Sequence, residues 1–304
     1  MPSSNLAHHI RANVQIALAE DMGTLSPSLL RPGESGSEAR EAEIYRGDLT
    51  AQLIPANTRA HATVITRETA VLCGAPWFEE CFRMLDPDCR IDWKVQEGSL
   101  ARAEQTLCEI HGNARAMLTA ERPALNFLQT LSATATLTRH YVDATAGTQA
   151  KIMDTRKTLP GLRMAQKYAA KVGGGYNQRI GLFDGVLIKE NHIAAAGGVA
   201  KVLRLASQII PRGVPVQIEV ENMAQLDEAL DAGARLILLD NFSLADTRLA
   251  VERTARRAEL EASGGITLEN VREVAETGVD RISIGALTKD IKAVDLSMRF
   301  QTET

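Results

Sequence analysis

The sequence KIMDTRKTLPGLRMAQKYAAKVGGGYNQRIGLFDGVLIKENHI runs from Lys151 to Ile193 and is strongly cationic. It holds eight Lys or Arg and three Asp or Glu, a local charge of +5 in a chain of net charge −4. Arg163, Lys167 and Lys171 recur at helical spacing, which predicts a helix over 161–172 with a charged face turned to water. This face explains only part of the positive charge.

The other cations of this stretch follow short apolar runs. Arg156 and Lys157 come after the run 151–153, and Lys189 comes after the run 185–188. Apolar runs of this length that stop at polar residues are typical of buried strands that end in a loop. We therefore expect these cations to act at strand ends.

From residue 150 onward, apolar runs alternate with helical patterns. The predicted strands are 151–153, 185–188, 214–220, 235–239, 258–262 and 281–284, and the predicted helices are 161–172, 198–209, 223–232, 244–257 and 268–277. Such alternation builds a parallel sheet with right-handed crossovers. Six strands with helices outside predict a closed or nearly closed α/β barrel. No GxGxxG follows the first strand, which argues against a dinucleotide-binding doubly wound sheet.

The first part of the chain predicts a mixed α/β layer. The N-terminal helix ends near Asp21, and the Gly-, Ser- and Pro-rich segment 23–46 predicts a disordered surface loop. Strands are predicted over 61–66, 71–73, 91–95 and 106–111, and helices over 76–85 and 120–146. Pro123 would then lie in the first turn of the long helix, where proline is tolerated. The predicted domains are 1–122, with 290–304 returning to it, and 123–289.

The composition excludes several classes of protein. Of 304 residues, 45% are hydrophobic and 24% are charged, as in ordinary soluble globular proteins. We find neither a membrane-length apolar run nor an apolar signal core, and therefore expect a cytoplasmic location and no membrane partner. The mildly acidic balance argues against a nucleic-acid partner. Four cysteines without a CxxC pair predict reduced, structural thiols: Cys73, Cys81, Cys89 and Cys108.

Charge is segregated along the predicted strand ends, which carry the catalytic groups in such barrels. The first two ends are cationic, whereas the segment 214–242 holds six acids and one base. A mouth of this kind suits a polyanionic substrate held on one side, with carboxylates for a metal ion or sugar hydroxyls on the other. Salt bridges that only close the barrel are the structural alternative.

Glycines and carboxylates at the later strand ends indicate a phosphate and a sugar site. Ser263-Gly264-Gly265 precedes a predicted helix, and Gly285 ends the next strand, which is typical of a phosphate cradle. A simple left-handed turn would also explain the two glycines. Side chains alternate along a strand, so Glu219 and Glu221, which are two residues apart, share one face. Gly173 to Gly175 can be explained as a helix cap, and His192 as a buried, hydrogen-bonding histidine rather than a catalyst.

The ordered motifs of the chain resemble one enzyme family. They are GDLT (47–50), ERPALNFLQTLS (121–132), DTRKTLPGLR (154–163), GGGYNQRIGLFDGVLIKENHI (173–193), EVEN (219–222), LLDN (238–241), SGGI (263–266) and SIGALT (283–288). In this order and spacing they are similar to nicotinate-nucleotide pyrophosphorylases (carboxylating), also called quinolinate phosphoribosyltransferases. The resemblance spans roughly residues 10–290.

The resemblance implies a reaction and a fold. Quinolinate and 5-phosphoribosyl-1-pyrophosphate would give nicotinate mononucleotide, pyrophosphate and CO₂ with Mg²⁺, in de novo NAD synthesis. The fold would be an N-terminal α/β sandwich plus an incomplete, TIM-like α/β barrel, in a homodimer.

The resemblance also implies roles for particular residues. Quinolinate would be held by Arg156, Arg179 and Lys189, with Thr155 and Gln178 in the same pocket and Arg122 donated by the neighbouring subunit. Lys157 would reach the pyrophosphate, and Glu219 and Asp240 would lie near the ribose and its Mg²⁺. The 5′-phosphate would be cradled by Ser263, Gly264, Gly265, Ile284, Gly285 and Ala286.

The chain departs from the family pattern at three places. Gln178 stands where the family usually has histidine, Ala133 follows Ser132 where a glycine is common, and 23–46 is an insertion. Two alternatives remain: a phosphoribosyltransferase for another base, such as a nicotinate-type or molybdenum-associated relative, and a non-catalytic homologue. A non-catalytic homologue is expected to lose Lys157, Glu219 or Asp240, and all three are present.

Overall fold

The computed structural model describes residues 3–23 and 47–302. The chain divides into two compact units. The first comprises Met1–Thr136, Pro160–Gly173 and Ile291–Thr304, and the second comprises Leu137–Leu159 and Gly174–Asp290. The predicted boundary after residue 122 falls inside a long helix, and the predicted surface loop lies outside the described residues except for Gly23.

The first unit is built on a four-stranded antiparallel sheet. Its helices are α1 (Ser3–Met22), α2 (Ala75–Leu85), the first part of α3 (Ala114–Ala144) and α4 (Arg163–Val172). Its strands are β1 (Arg59–Thr66), β2 (Ala70–Val71), β3 (Arg90–Trp93), β4 (Leu100–Ala101), β5 (Thr106–Asn113) and β12 (Leu296–Thr302). The sheet order is β12-β1-β5-β3, and β2 pairs with β4.

Alternation along β1 separates the two faces of this sheet. Ala60, Ala62 and Val64 are buried in the core that also contains Trp77 and Phe78 of α2. The intervening side chains of β1 face away from this core, as the two-residue period of a strand requires. The sheet therefore has one apolar face and one polar face.

Two predictions about the helices of this unit were wrong. Helix α3 begins at Ala114 because the Asn113 side chain accepts hydrogen bonds from the backbone N–H groups of residues 115 and 116, at 3.0 and 3.2 Å. Pro123 therefore lies in the helix interior rather than in the first turn. In α4, the helix is confirmed, but Lys167 is fully buried instead of facing water.

The second unit is an α/β barrel with one gap. Its strands are β6 (Lys151–Met153), β7 (Val186–Ile188), β8 (Val216–Val220), β9 (Leu236–Asp240), β10 (Glu259–Ser263) and β11 (Arg281–Ser283). All neighbouring pairs are parallel, in the order β6-β11-β10-β9-β8-β7. Within the described residues β6 and β7 do not pair, so the predicted incomplete barrel is confirmed.

Helices connect most of these strands, as the alternating pattern predicted. They are the last part of α3, α5 (Glu190–Ala196), α6 (Val199–Ile209), α7 (Met223–Asp231), α8 (Leu244–Thr254), α9 (Val271–Ala275) and α10 (Ala286–Lys289). Buried Ile218, Ile237 and Leu260 belong to the apolar core of this unit. Because the strands are parallel, their carboxyl ends all open on the same side. In the described part of the chain, no helix is long and apolar enough to cross a membrane.

Candidate active site

A cavity of about 630 Å³ lies at the carboxyl ends of the barrel strands. It is lined by Thr155, Arg156, Lys157, Gln178, Arg179, Leu187, Lys189, Glu219, Leu238, Asp240, Asn241, Glu261, Ser263, Gly264 and Ser283. Ten of the predicted site residues are among them. The predicted residues outside this lining are Arg122, Gly265, Ile284, Gly285 and Ala286. Arg122 belongs to the first unit, where it is exposed on α3.

Two arginines make one side of the cavity strongly cationic. The Nε atom of Arg156 is buried and has no hydrogen-bond partner in the described part of the protein. Burial, and then the charge of nearby Arg156, lower the pKa of Arg179, and Asp184 partly opposes this effect. Arg179 Nη1 donates to the Gly185 carbonyl at 3.3 Å. An unpartnered buried donor is costly, so this side of the cavity fits an anion that would accept from it.

Another part of the cavity lining carries carboxylates at the ends of two neighbouring strands. Glu219 on β8 is nearly buried and accepts from Lys189 Nζ at 2.9 and 3.1 Å. Asp240 ends β9 and accepts from Asn241 Nδ2 at 2.9 Å. Glu221, predicted to share the face of Glu219, lies just beyond the strand and is exposed. One carboxylate is thus paired with a lysine and the other faces the cavity without a cation among the described residues.

A third acid, Glu261 on β10, was missed by the sequence analysis. It is fully buried and accepts from Gln217 Nε2 at 3.0 Å and from the hydroxyl of Ser283. Gln178 Nε2 lies 2.5 Å from both of its carboxylate oxygens. A glutamate in the middle of the apolar run 258–262 was the available sequence signal, because charged residues are rarely fully buried without partners.

This network fixes the side chain of Gln178. Its amide nitrogen also approaches Gln217 Oε1 at 3.4 Å, so its two N–H donors are directed at the barrel interior. The backbone N–H of Gln178 donates to buried Asp154 at 2.8 Å, and Asn177 Nδ2 donates to the same carboxylate at 2.6 Å. Asp154 therefore joins the end of β6 to the loop that carries Gln178 and Arg179.

The family resemblance implies that Gln178→His preserves activity and tightens quinolinate binding more at pH ~6 than at pH ~8. A histidine titrates near ~6.5, and the Glu261 carboxylate beside this position would raise that pKa and so favour the charged imidazole. The measurement is KM for quinolinate at both pH values, with Gln178→Met as the non-titrating control. Complete loss of activity in the histidine variant, with the fold intact, would contradict the expectation.

Small residues permit close backbone contacts at the last two strand ends. Gly264 has φ +99°, and a Cβ atom there would lie 2.1 Å from Asn241 Oδ1. At Gly285 a Cβ atom would lie 3.1 Å from Lys157 Cδ, and Thr288 Oγ1 donates to the Lys157 carbonyl at 2.7 Å. A side chain at Gly264 would therefore collide with Asn241, whereas at Gly285 the Lys157 side chain would have to shift by a few tenths of an ångström.

The helix expected directly after the Ser263-Gly264-Gly265 segment is shorter than predicted. A turn separates the glycines from α9, which has only five residues and begins at Val271. Asn270 is bound to this turn through its side chain, which accepts from Thr267 N at 2.9 Å and donates to Gly265 O at 3.1 Å. Backbone N–H groups, rather than a helix dipole, are thus the local feature suited to an anion.

Two other sequence interpretations are settled by the structure. His192 is exposed, not buried, and its Nδ1 accepts from the Lys189 N–H at 3.0 Å, which caps α5. Gly173 is the C-cap of α4, as the capping interpretation predicted.

All four cysteines are free. Burial raises the pKa of each thiol, to about 12 for Cys89, so these groups stay protonated and unreactive.

Family models match nearly the whole described chain. Residues 48–132 match the N-terminal domain of quinolinate phosphoribosyl transferase, and residues 134–299 match its C-terminal domain. The chain belongs to the quinolinate phosphoribosyltransferase family. The predicted family resemblance is therefore confirmed, including its order of a small sheet domain followed by an α/β barrel.

Individual relatives within this family are similar over most of their length. The probable nicotinate-nucleotide pyrophosphorylase [carboxylating] of Bacillus subtilis is 41% identical over 84% of this chain and 89% of its own. The Mycobacterium leprae nicotinate-nucleotide pyrophosphorylase [carboxylating] is 43% identical over 84% and 91%. The solved nicotinate-nucleotide pyrophosphorylase of Francisella tularensis has a TM-score of 0.86 at 42% identity, covering 97% of both chains.

Proposed function

We propose that this protein transfers the phosphoribosyl group of 5-phosphoribosyl-1-pyrophosphate to quinolinate with decarboxylation. The products are nicotinate mononucleotide, pyrophosphate and CO₂, as in de novo NAD synthesis. Family membership supports the reaction class. The observation that carries the choice of substrate is the buried Arg156 Nε, which has no partner in the described protein and stands beside Arg179 at a barrel mouth.

Quinolinate is the substrate that this cationic side fits. It bears two carboxylates on adjacent ring carbons, and guanidinium groups bind carboxylates through paired N–H donors. Arg156 and Arg179 bind these carboxylates together with Lys189, and Thr155 and Gln178 form the adjoining wall. A monocarboxylate such as nicotinate leaves part of this positive charge uncompensated, so the site discriminates against it.

The transfer step needs stabilisation of positive charge on the ribose. As the bond between C1′ and the pyrophosphate oxygen breaks, the sugar becomes oxocarbenium-like, and the pyridine nitrogen then forms the new bond to C1′. Glu219 and Asp240 supply negative charge near the ribose, and Lys157 binds the departing pyrophosphate. The bond to the ring carboxylate next to nitrogen then breaks, CO₂ leaves, and the cationic nitrogen stabilises the carbanion until it takes a proton.

The carboxylate side also fits Mg²⁺. This ion prefers oxygen ligands, keeps several waters and is usually held by one or two carboxylates plus substrate phosphates. Asp240 meets this requirement, because it is partly exposed to the cavity and, among the described residues, pairs with no cation. Glu219 is already bound to Lys189 and is the secondary candidate. When bound, Mg²⁺ supplies charge neutralisation for the leaving pyrophosphate.

The glycine-bearing strand ends are suited to the 5′-phosphate. Ser263 and Gly264 line the cavity, and the close approach at Gly264 and Gly285 leaves the backbone accessible to an anion. The proposed cradle is completed by Gly265, Ile284 and Ala286.

Assembly and location are part of the same proposal. The active form is a homodimer in which the exposed Arg122 enters the partner's site, so that four cations in total contact quinolinate. The four free thiols fit a reducing compartment, and we assign the protein to the cytoplasm.

One assay tests the proposed function. Purified protein is supplied with quinolinate, 5-phosphoribosyl-1-pyrophosphate and Mg²⁺, and nicotinate mononucleotide and CO₂ are followed; a parallel reaction contains nicotinate instead. We expect product from quinolinate and little from nicotinate. Product from nicotinate alone would assign the chain to another phosphoribosyltransferase class, and no product from either would favour a non-catalytic homologue.

A further inference from the structure

Two histidines lie opposite each other on the polar face of the first unit's sheet. His61 of β1 and His111 of β5 are register partners, and their rings stack with centroids 4.4 Å apart and an interplanar angle of 21°. Glu109 lies two residues before His111 on the same strand and therefore on the same face. One ligand atom of each residue lies within 4.8 Å of the others.

One of these imidazoles has an unexplained buried atom. The Nε2 atom of His61 is buried and has no hydrogen-bond partner in the described part of the chain. Buried polar side-chain atoms nearly always have a partner, and leaving one without costs free energy. An unprotonated imidazole nitrogen in that position has a lone pair that can bind a metal ion. The neighbouring His111 and Glu109 offer two further metal-ligating atoms.

The ion pair of Glu109 with Lys94 does not prevent the carboxylate from taking part. Lys94 Nζ contacts Glu109 Oε2 at 2.9 Å, but it also contacts Asp92 Oδ2 at 2.6 Å. Lys94 therefore keeps a carboxylate partner if Glu109 turns toward the histidines. Lys94 nevertheless competes with any bound cation for Glu109. Substitution of Lys94 should therefore change the affinity of the site for a metal ion.

We propose that His61, Glu109 and His111 bind a divalent transition-metal ion of the zinc class. Two imidazoles and one carboxylate are a zinc donor set, with the fourth tetrahedral position left for water. Mg²⁺ is disfavoured because it demands oxygen ligands, so this site is separate in chemistry from the proposed catalytic metal. The ligand atoms of a zinc site lie about 2.0–2.2 Å from the ion, so side-chain rotations would have to draw together the three atoms, which now lie within 4.8 Å of one another.

Such an ion would join β1 to β5 through their side chains. These strands are the two central strands of the sheet order β12-β1-β5-β3. A metal ion that binds the folded state and not the unfolded state raises the free energy of unfolding by mass action. Zn²⁺ is therefore expected to raise the Tm of the full-length protein.

The test is a Zn²⁺ titration of the full-length protein by calorimetry, with Co²⁺ absorption as a report on coordination. The protein carries His8→Ala and His9→Ala, because these adjacent histidines, of which His8 is exposed, could bind zinc by themselves. We expect one equivalent of zinc and tetrahedral Co²⁺ bands. No saturable binding in this background would overturn the proposal.

Variants locate the site. His61→Ala and His111→Ala are expected to lower zinc affinity at least about tenfold, since even outer partners of metal ligands are worth 10–100-fold. His140→Ala, on an exposed position of α3, is the matched control and should bind zinc as the parent does. Unchanged affinity in both ligand variants would overturn the proposal.

Lys94→Gln provides a test that does not depend on removing a ligand. It releases Glu109 from its ion pair, so zinc affinity should rise, whereas Glu109→Gln should lower it. If a histidine variant fails to fold, this pair of variants still decides the question. Unchanged affinity in both would remove Glu109 from the site and overturn the three-ligand assignment.

Discussion

Arg156→Ala is expected to lower kcat/KM for quinolinate at least about tenfold while leaving Tm unchanged or higher. A hydrogen bond to a charged group is worth about 1.5–3 kcal/mol, and about 1.4 kcal/mol corresponds to a factor of ten. Arg156 is proposed to donate to a quinolinate carboxylate, and its Nε lacks any other partner in the described structure. The substitution should therefore weaken binding of the substrate without lowering the stability of the fold.

The stability part of this expectation follows from the charges around Arg156. Burial is the main cause that lowers the pKa of Arg179, and the charge of Arg156 lowers it further, because the two like charges repel. Removing one of them relieves this repulsion and removes an unsatisfied buried donor. If Arg156→Ala disables catalysis without destabilising the fold, then Arg156 serves substrate binding and not stability.

Lys189→Ala gives the contrasting result. We expect a similar loss of kcat/KM together with a lower Tm, because Glu219 is nearly buried and would lose its cation. Arg248→Ala and Lys201→Ala, exposed on the outer helices of the same unit, are matched controls and should change neither quantity. Wild-type kcat/KM in folded Arg156→Ala and Lys189→Ala proteins would remove both side chains from the site.

The barrel and most of the cavity lining could be predicted because parallel strands are buried on both faces. Such strands form continuous apolar runs, so their ends are visible as abrupt changes to polar residues. Lys189 after β7 and Asp240 at the end of β9 were found in this way, and both line the cavity. The rule uses only local sequence, which is why it worked without knowledge of the packing.

The features that were missed depend on contacts distant in sequence. Glu261 lies within the predicted strand 258–262, and only its contacts with Gln178 and Gln217 show that it is a buried hydrogen-bonding centre. Lys167 has helical spacing with two other cations, but in the folded chain it is fully buried. Periodicity shows which residues share a face and does not show what packs against that face.

The start of α3 was missed for a local reason. Asn113 is both the last residue of β5 and the cap of α3, so no loop separates the strand from the helix. Helix prediction relies on a break in the pattern before the first turn. The predicted start at residue 120 placed Pro123 in the first turn, whereas the helix already extends from Ala114 and contains the proline in its interior.

Mixing two inactive variants is expected to restore activity if Arg122 acts across a dimer interface. Subunits carrying Arg122→Ala and subunits carrying Lys189→Ala each lack one cation proposed to hold quinolinate. In a mixed dimer, one site contains Lys189 from the first chain and Arg122 from the second, and the other site lacks both. Random exchange of equal amounts makes half of the dimers mixed, so about one quarter of wild-type activity should return.

The design separates action in trans from the two other possibilities. Arg122 is exposed on α3, and Lys189 pairs with Glu219, so the Arg122→Ala substitution leaves that ion pair in place. Mass spectrometry of differently tagged subunits measures the fraction of mixed dimers, and Arg248→Ala mixed with Lys189→Ala is the control for exchange alone. If mixed dimers form and no activity returns, Arg122 acts within its own subunit, because each site of a mixed dimer then carries one damaged residue. An Arg122→Ala protein that is active alone would show that Arg122 plays no part. Proportional recovery means that a monomer cannot assemble the complete cation set, and catalysis then requires the dimer.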